Sequence, residues 1–476
     1  MKRKQSIFGC LILGAVLMLF SGCTSSNSAE KTEPEIFEDK VNTISASDAE
    51  SIYDAAVNTV KNAQSLSFSV EYTREINSGE VTFSEDCVQT IIYQDYGTEQ
   101  LRARVSEVRN IGTNAISATA TFEDGVGYFA VGDGRFCGSM SADAFSSKYV
   151  PAALMESSLY ANIHAVEEGG TVTVFFSKPS EPEHWLNLTE TTDFDAAGKA
   201  VLGSNGQLLE STYNFSFQHG GTKISQSVRV TLETSPVHIE ADDYTGYIPL
   251  DIPDAPMMLE RVCGYLLQAG SVKAESKETV VFDAYGDERV QTSSLEMTGK
   301  GATFAANFVT SVELINHNRA GLVTENHYAM DYTDGHYRIS ENGEIKQEQV
   351  KASSETVRND CQNLLLGTVI LPEYISSAEV IDLGDTYLYS YSANDAFCLL
   401  MRQKACHTLY QDHGLLQALE SQEASDAVSA YLKVDKLTGL PVGSGIKYSG
   451  TFTVGEYAYS LHSNADQSYR LLESNQ

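Results

Sequence analysis

Ser444-Gly445-Ile446-Lys447 fits S-x-x-K, a spacing that on a helix brings a lysine amine to a serine hydroxyl one turn away. That pairing makes acyl-enzymes. Here the four residues follow the turn Thr438-Gly439-Leu440 and enter a strand, where Ser444 and Lys447 face opposite sides. The S-D-N and K-T-G partners are absent. The 10 histidines are scattered, and His407 and His413 lack the i, i+4 spacing of a helical metal pair. Glu240, Asp242 and Asp243 could face a cation, but no D-x-D-x-D-G loop surrounds them, and a solvated acidic loop is the simpler reading. No G-x-S-x-G, H-E-x-x-H or phosphate loop occurs. The residues therefore name no catalytic group, no metal and no cofactor, and the expectation is a protein that is not an enzyme.

The strongest chemical signal is a thiol near the start. Lys2, Arg3 and Lys4 precede an uncharged apolar run from Ile7 to Phe20. That run is too short to span a bilayer, which takes about 20 residues, and reads as the core of a signal peptide over 1–22. Leu19-Phe20-Ser21-Gly22-Cys23 follows and resembles the lipobox of bacterial lipoproteins. The resemblance implies diacylglycerol on the Cys23 thiol, cleavage before it and an acylated amino terminus. Two or three acyl chains anchor stably where one is marginal. The expected location is the extracytoplasmic face of a cell membrane, held by lipid. Residues 23–45 are polar, with Ser25, Ser26 and Ser28 followed by Glu30, Glu33, Glu35 and Glu38. They read as a tether with a root-mean-square span of roughly 25 Å.

The chain has 476 residues and a net charge of −32, which excludes a nucleic-acid binder and a polybasic membrane patch. Its length fits two or three domains. Two runs of elements follow the tether. In the first, Ser47 and Glu50 read as a capping box, and Ile52, Ala56 and Val60 share a helical face. Leu66, Phe68, Val70 and Tyr72 then alternate with polar residues, and further strands follow with Val172, Val174 and Phe176, and with Tyr213, Phe215 and Phe217. A second helix is expected within Ala152 to Ile163. In the second run, Asp254 reads as the cap of a helix carrying Met258, Val262 and Leu266.

Turns recur at matching places. Tyr332-Thr333-Asp334-Gly335 parallels Phe122-Glu123-Asp124-Gly125, and Thr438-Gly439-Leu440 parallels Asn205-Gly206-Gln207. The offset grows between Asn394 and Ala430, where a helical insert with Phe397, Leu400, Met401 and Leu409 is expected. The reading is α+β: two tandem domains, 46–246 and 257–476, joined by a linker over 247–256.

The D-G-x-x-Y-like hairpins and Val434-Asp435-Lys436-Leu437-Thr438-Gly439-Leu440-Pro441 resemble the LolA-like family, which includes the LppX- and LprG-like lipoproteins and many from Gram-positive bacteria. The resemblance implies, for each domain, a curved antiparallel half-barrel whose concave face is covered by helices and can hold acyl chains. The first run departs from it, with Ser204-Asn205-Gly206 at the last turn. On this reading the ligand is a lipid. Its walls would be Phe68, Val70, Tyr72, Val172, Val174 and Phe176 in one domain, and Tyr387, Tyr389 and Tyr391 in the other. The alternative is an envelope module, structural or partner-binding, whose sheets are filled by their own side chains. Cys87, Cys137, Cys263, Cys361, Cys398 and Cys406 permit disulfides within each half or buried free thiols.

Overall fold

The computed structural model describes residues 42–78, 81–149, 157–179, 191–233, 237–283, 286–318, 322–409, 424–454 and 456–471. The signal segment, Cys23 and the tether up to 41 lie outside the described residues. The rest is mostly β-structure, built as two large open sheets of 13 and 11 strands with few helices. No described helix is long and apolar enough to cross a membrane.

The first half begins with β1 (Asn42–Ile44) and helix α1 (Ala46–Lys61). Six strands then run outward in sequence order: β2 (Ser65–Ser78), β3 (Val81–Gln94), β4 (Arg102–Ile111), β5 (Asn114–Glu123), β6 (Val126–Val131) and β7 (Gly134–Ser139). Helix α2 (Ala142–Tyr149) leads to the far edge. From there β8 (Tyr160–Glu168), β9 (Thr171–Pro179), β10 (Thr192–Leu202), β11 (Leu208–His219) and β12 (Thr222–Glu233) return inward, and β12 closes against β2. β13 (Ile248–Pro249) adds a short parallel strand beside β7.

The second half repeats that path. After α3 (Met257–Gln268) come β14 (Val272–Phe282), β15 (Asp287–Thr298), β16 (Ala305–Asn316), β17 (Leu322–Thr333), β18 (His336–Glu341) and β19 (Glu344–Val350). Helix α4 (Ser354–Leu365) crosses to β20 (Ile375–Asp382) and β21 (Thr386–Ala393). Helix α5 (Asp395–Leu409) follows, then β22 (Ala424–Asp435), β23 (Pro441–Val454) and β24 (Tyr457–Leu471), which closes on β14. Set aside β1 and β13, and the strand order of one sheet is the strand order of the other.

Local sequence explains the corners. Asp124-Gly125 and Asp334-Gly335 join β5 to β6 and β17 to β18 with both residues of each pair at positive φ, the geometry that fits the twist of a two-residue hairpin. Gly335→Ala is expected to lower the unfolding free energy by about 1–2 kcal/mol, the cost of a left-handed residue that carries a Cβ. Urea denaturation reads it.

Three helix readings change. The cap of α1 is Ser45, whose hydroxyl accepts from the Asp48 amide, so the helix starts before Ser47. Asp254 does not cap α3 with its side chain. It pairs with Lys148 at 2.5 Å, and Pro256 holds the cap position. The helix expected over 152–163 gives way to a short 3-10 turn at Ser157–Leu159 and to β8; residues 150–156 lie outside the described residues. The helix stands instead at α2, capped by Ser141, with Phe145 as its one buried residue. In the insert, α5 buries Cys398, Met401, Ala405 and Cys406, but Leu400 is exposed. The insert ends where β22 begins, and 410–423 lie outside the described residues.

Two cores result. α1 lays Ala49, Tyr53, Ala56, Val57 and Val60 on one end of the first sheet, against Leu66, Phe68, Val174 and Phe176 among others. Burying valines such as Val57 and Val60 contributes about 1.5–3 kcal/mol each. The other core crosses between the halves. Leu259, Val262, Tyr265 and Leu266 of α3 pack with Ile76, Phe83, Ile111 and Phe136 of the first sheet and with Val272 and Leu295 of the second. Gly264 permits this approach, since a Cβ there would sit 3.0 Å from the Ile111 Cδ1.

Candidate functional site

The inner faces of both sheets are largely occupied by the chain itself. Phe68, Val70, Val174 and Phe176 are buried in the α1 core, and Val172 packs at its margin. The Tyr53 and Phe176 rings meet edge-on at 4.6 Å. Tyr72 lies deeper along β2, and its hydroxyl donates to Glu85 at 2.9 Å. In the second sheet Tyr387, Tyr389 and Tyr391 share one face of β21. Tyr391 is buried and donates to the Ala255 carbonyl at 3.2 Å, with Tyr389 stacked beside it. Tyr387 is half-buried, under the Lys436 ammonium 5.0 Å from its centroid. The structure thus gathers the first-sheet residues under α1 and leaves Tyr387 at an opening elsewhere.

Between the two cores of the first sheet lies a charged layer. Glu85 is 1% exposed and meets Arg109, Arg261 at 3.3 Å and the Tyr265 hydroxyl at 2.5 Å. Arg109 also pairs with Glu107 at 2.8 Å and donates to the Tyr72 hydroxyl, while Gln89 donates to Glu107. Burial pushes the Glu107 carboxyl above its usual range, lowers Arg109 to about 10 and raises the Tyr72 phenol. Arg261 and Tyr265 come from α3, so this layer fastens the second half to the first. Arg74 adds to it by donating to the Leu437 carbonyl at 2.8 Å.

Beyond Arg74 the halves part into a cleft of about 980 Å³. One wall is the end of the first sheet, with Phe215, Phe217 and Ile224. Phe215 stacks between Tyr213 and Phe217, with centroids 6.4 and 6.3 Å away. The opposite wall is formed by the β20–β21 and β22–β23 hairpins, with Tyr387, Leu437 and Leu440. Asp435 shapes the second hairpin: its carboxylate accepts from the Thr438 amide and hydroxyl, each at 2.7 Å. His219, Asp385 and Lys436 sit among the apolar side chains, and Lys436 pairs with Asp382 at 2.6 Å. The cleft is thus apolar at its walls with ionic groups among them, a surface suited to an amphiphile.

Catalytic and metal readings gain nothing from the geometry. Ser444 is buried, hydrogen-bonded to Thr368 at 2.6 Å and Tyr469 at 2.7 Å, while Lys447 is exposed on the other face. Asp242 pairs with Arg104 at 2.6 Å, and Asp243 turns the chain at Thr245. Among the described residues no group of three or more His, Cys, Asp or Glu could hold a metal.

Sequence reasoning missed Phe215, Phe217 and the Glu85 layer as site features. The aromatic pair was read as strand alternation. The charged layer had a signal: Glu85 continues the inward phase of Phe83 and Ile91, and Glu107 and Arg109 continue that of Ala103 and Val105. A charge in an inward phase needs a buried partner.

None of the six described cysteines is joined to another of them by a disulfide. Burial pushes Cys87 and Cys263 up to about 12 and Cys361 up to about 11. Only the thiolate attacks, so these three are expected to resist iodoacetamide at pH 8 until the chain unfolds, with the less buried Cys137 modified first. Peptide mapping after timed alkylation checks the order. Rapid labelling of Cys87 in the folded protein would contradict it.

No family model matches the chain, and no curated protein matches it. Solved structures give distant likenesses. LprF from Mycobacterium bovis is 11% identical, with 41% of this chain and 97% of that one covered and a TM-score of 0.22. A protein of unknown function from the DUF3598 family of Nostoc punctiforme is 9% identical over 87% of this chain and 98% of its own, with a TM-score of 0.14. OpdK from Pseudomonas aeruginosa, with vanillate, is 7% identical over 85% and 98%, with a TM-score of 0.10. All three TM-scores are too low to carry an argument about this chain.

Proposed function

We propose that this protein is a non-catalytic lipoprotein of the cell envelope, anchored through Cys23, that binds a hydrophobic ligand of lipid type in the cleft between its two sheets. Its two halves, 46–246 and 257–476, are read as tandem LolA-like domains, a reading supported by the shared strand order. The observation that carries the ligand reading is the contrast between the sheets and the cleft. The inner faces where a lipid was expected are packed by α1, α3 and the Glu85 layer. The cleft beside them keeps an apolar wall of Phe215, Phe217 and Tyr387, and no described helix contributes to its lining. Each acyl methylene buried there would contribute about 0.8 kcal/mol.

The filled inner faces also favour a second reading, an envelope module that binds a protein partner. One experiment separates the two. The chain purified from a bacterial host is weighed by native mass spectrometry, extracted with organic solvent and offered a fluorescent fatty acid. A lipid adduct in addition to the anchor, or saturable uptake of one probe per chain, is the expected result. A bare mass with no uptake would favour the partner-binding module.

A further inference from the structure

The face of the second sheet turned away from its core carries a groove of about 730 Å³. Register explains its shape. One row of paired residues crosses six neighbouring strands as Tyr431, Gly445, Asp466, Lys277, Thr292 and Ser311. The adjacent row passes through Lys433, Gly443, Ser468 and Glu275. Gly443 and Gly445 leave the trough open. A Cβ on Gly445 would fall 2.3 Å from the Tyr431 Cε1, so the ring lies across the glycine as part of the floor. With strands about 4.8 Å apart, the row runs for roughly 24 Å, long enough for a short chain of sugar rings rather than one.

The groove's charges are not all spent. Asp466 accepts from the Tyr431 hydroxyl at 3.0 Å and from Asn464 at 2.7 Å, and Glu275 pairs with Lys273 at 2.7 Å. Lys277 and Lys433 line the groove and make no ion pair among the described residues. Two uncommitted cations stand here on a chain of net charge −32. Around them are serine and threonine hydroxyls, and Val309 and Val442 supply apolar surface. Aliphatic and aromatic surface to meet C–H faces, hydroxyls to meet hydroxyls and two ammonium groups to meet anions together describe one ligand chemistry. The corresponding strands of the first sheet hold a smaller groove of about 410 Å³, lined by Glu75 and Asp195 with no lysine. The first half thus presents carboxylates alone at this place, whereas the second sets two lysines beside Glu275 and Asp466.

We propose that the outer groove of the second sheet binds an acidic oligosaccharide, a sugar chain bearing carboxylate or phosphate groups, with Tyr431 as its stacking platform and Lys277 and Lys433 as its anion contacts. This site adjoins the cleft at Val442, which lines both, but lies on the outer face of the sheet and does not depend on the lipid reading.

The test titrates the full-length protein in detergent with tetragalacturonate by calorimetry, with chitotetraose and inorganic phosphate as comparators. The acidic sugar is expected to bind, more weakly as salt rises. The double variant Lys277→Glu/Lys433→Glu is expected to lose at least tenfold in affinity, and Tyr431→Ala to weaken binding at an unchanged melting temperature. If the charge reversal disturbs folding, Lys277→Gln/Lys433→Gln serves in its place with the same expected direction. Absence of tetragalacturonate binding, equal binding of chitotetraose, displacement by phosphate at matched ionic strength, or full affinity in the folded lysine variant would each overturn the proposal.

Discussion

Replacing Glu85 with alanine is expected to lower the unfolding free energy by about 3–5 kcal/mol, because it leaves the Arg109 and Arg261 cations in a buried layer without their shared carboxylate. Tyr265 would lose its acceptor as well. The change differs in kind from a core truncation. Glu85 belongs to β3 of the first half, whereas Arg261 and Tyr265 belong to the helix that opens the second. The variant should therefore loosen the junction as well as the fold. Two-step unfolding in urea, or limited proteolysis near 237–256, would register the uncoupling. Tyr72→Phe removes one hydroxyl of the same layer and is expected to cost only about 1 kcal/mol. An equal loss from both variants would mean that the layer does not work through its charges.

The second large effect separates the cleft from the interior of the first sheet. Phe215→Ala combined with Tyr387→Ala is expected to weaken fatty-acid probe binding by tenfold or more, since both walls lose their aromatic surface. Both side chains are only partly buried, so stability should change far less. Phe68→Ala is the converse case. Its side chain is 1% exposed in the α1 core, and truncation is expected to cost about 3–5 kcal/mol of stability while leaving probe affinity in the folded fraction unchanged. Titration of the probe beside chemical denaturation of the same samples measures both.

The sequence carried the strands well and their docking poorly. Leu66, Phe68, Val70 and Tyr72 alternate because β2 has one face inward, and the Asp-Gly pairs mark hairpins because both residues must take positive φ. These are local constraints, visible in a window of a few residues. Helix α2 was misplaced because it buries Phe145 alone and so writes no periodicity into the chain. The covering of one end of the first sheet by α3 was not legible for a different reason. Arg261 and Tyr265 stand about 180 residues from the Glu85 they contact, and nothing near either position announces the meeting. The candidate site inherits that limit. Phe215 and Tyr387 were each legible as members of an aromatic stripe. That the stripes come to opposite walls of one cleft depends on how two similar sheets pack, and no single stripe encodes it.

A photoactivatable fatty acid, cross-linked to the protein and located by peptide mapping, tests the placement of the ligand most directly. The account predicts label on the segments that carry Phe215, Phe217, Tyr387 and Leu437. Label concentrated on α1 and on the strand segments that carry Phe68 and Val174 would contradict it, and would place the lipid inside the first sheet.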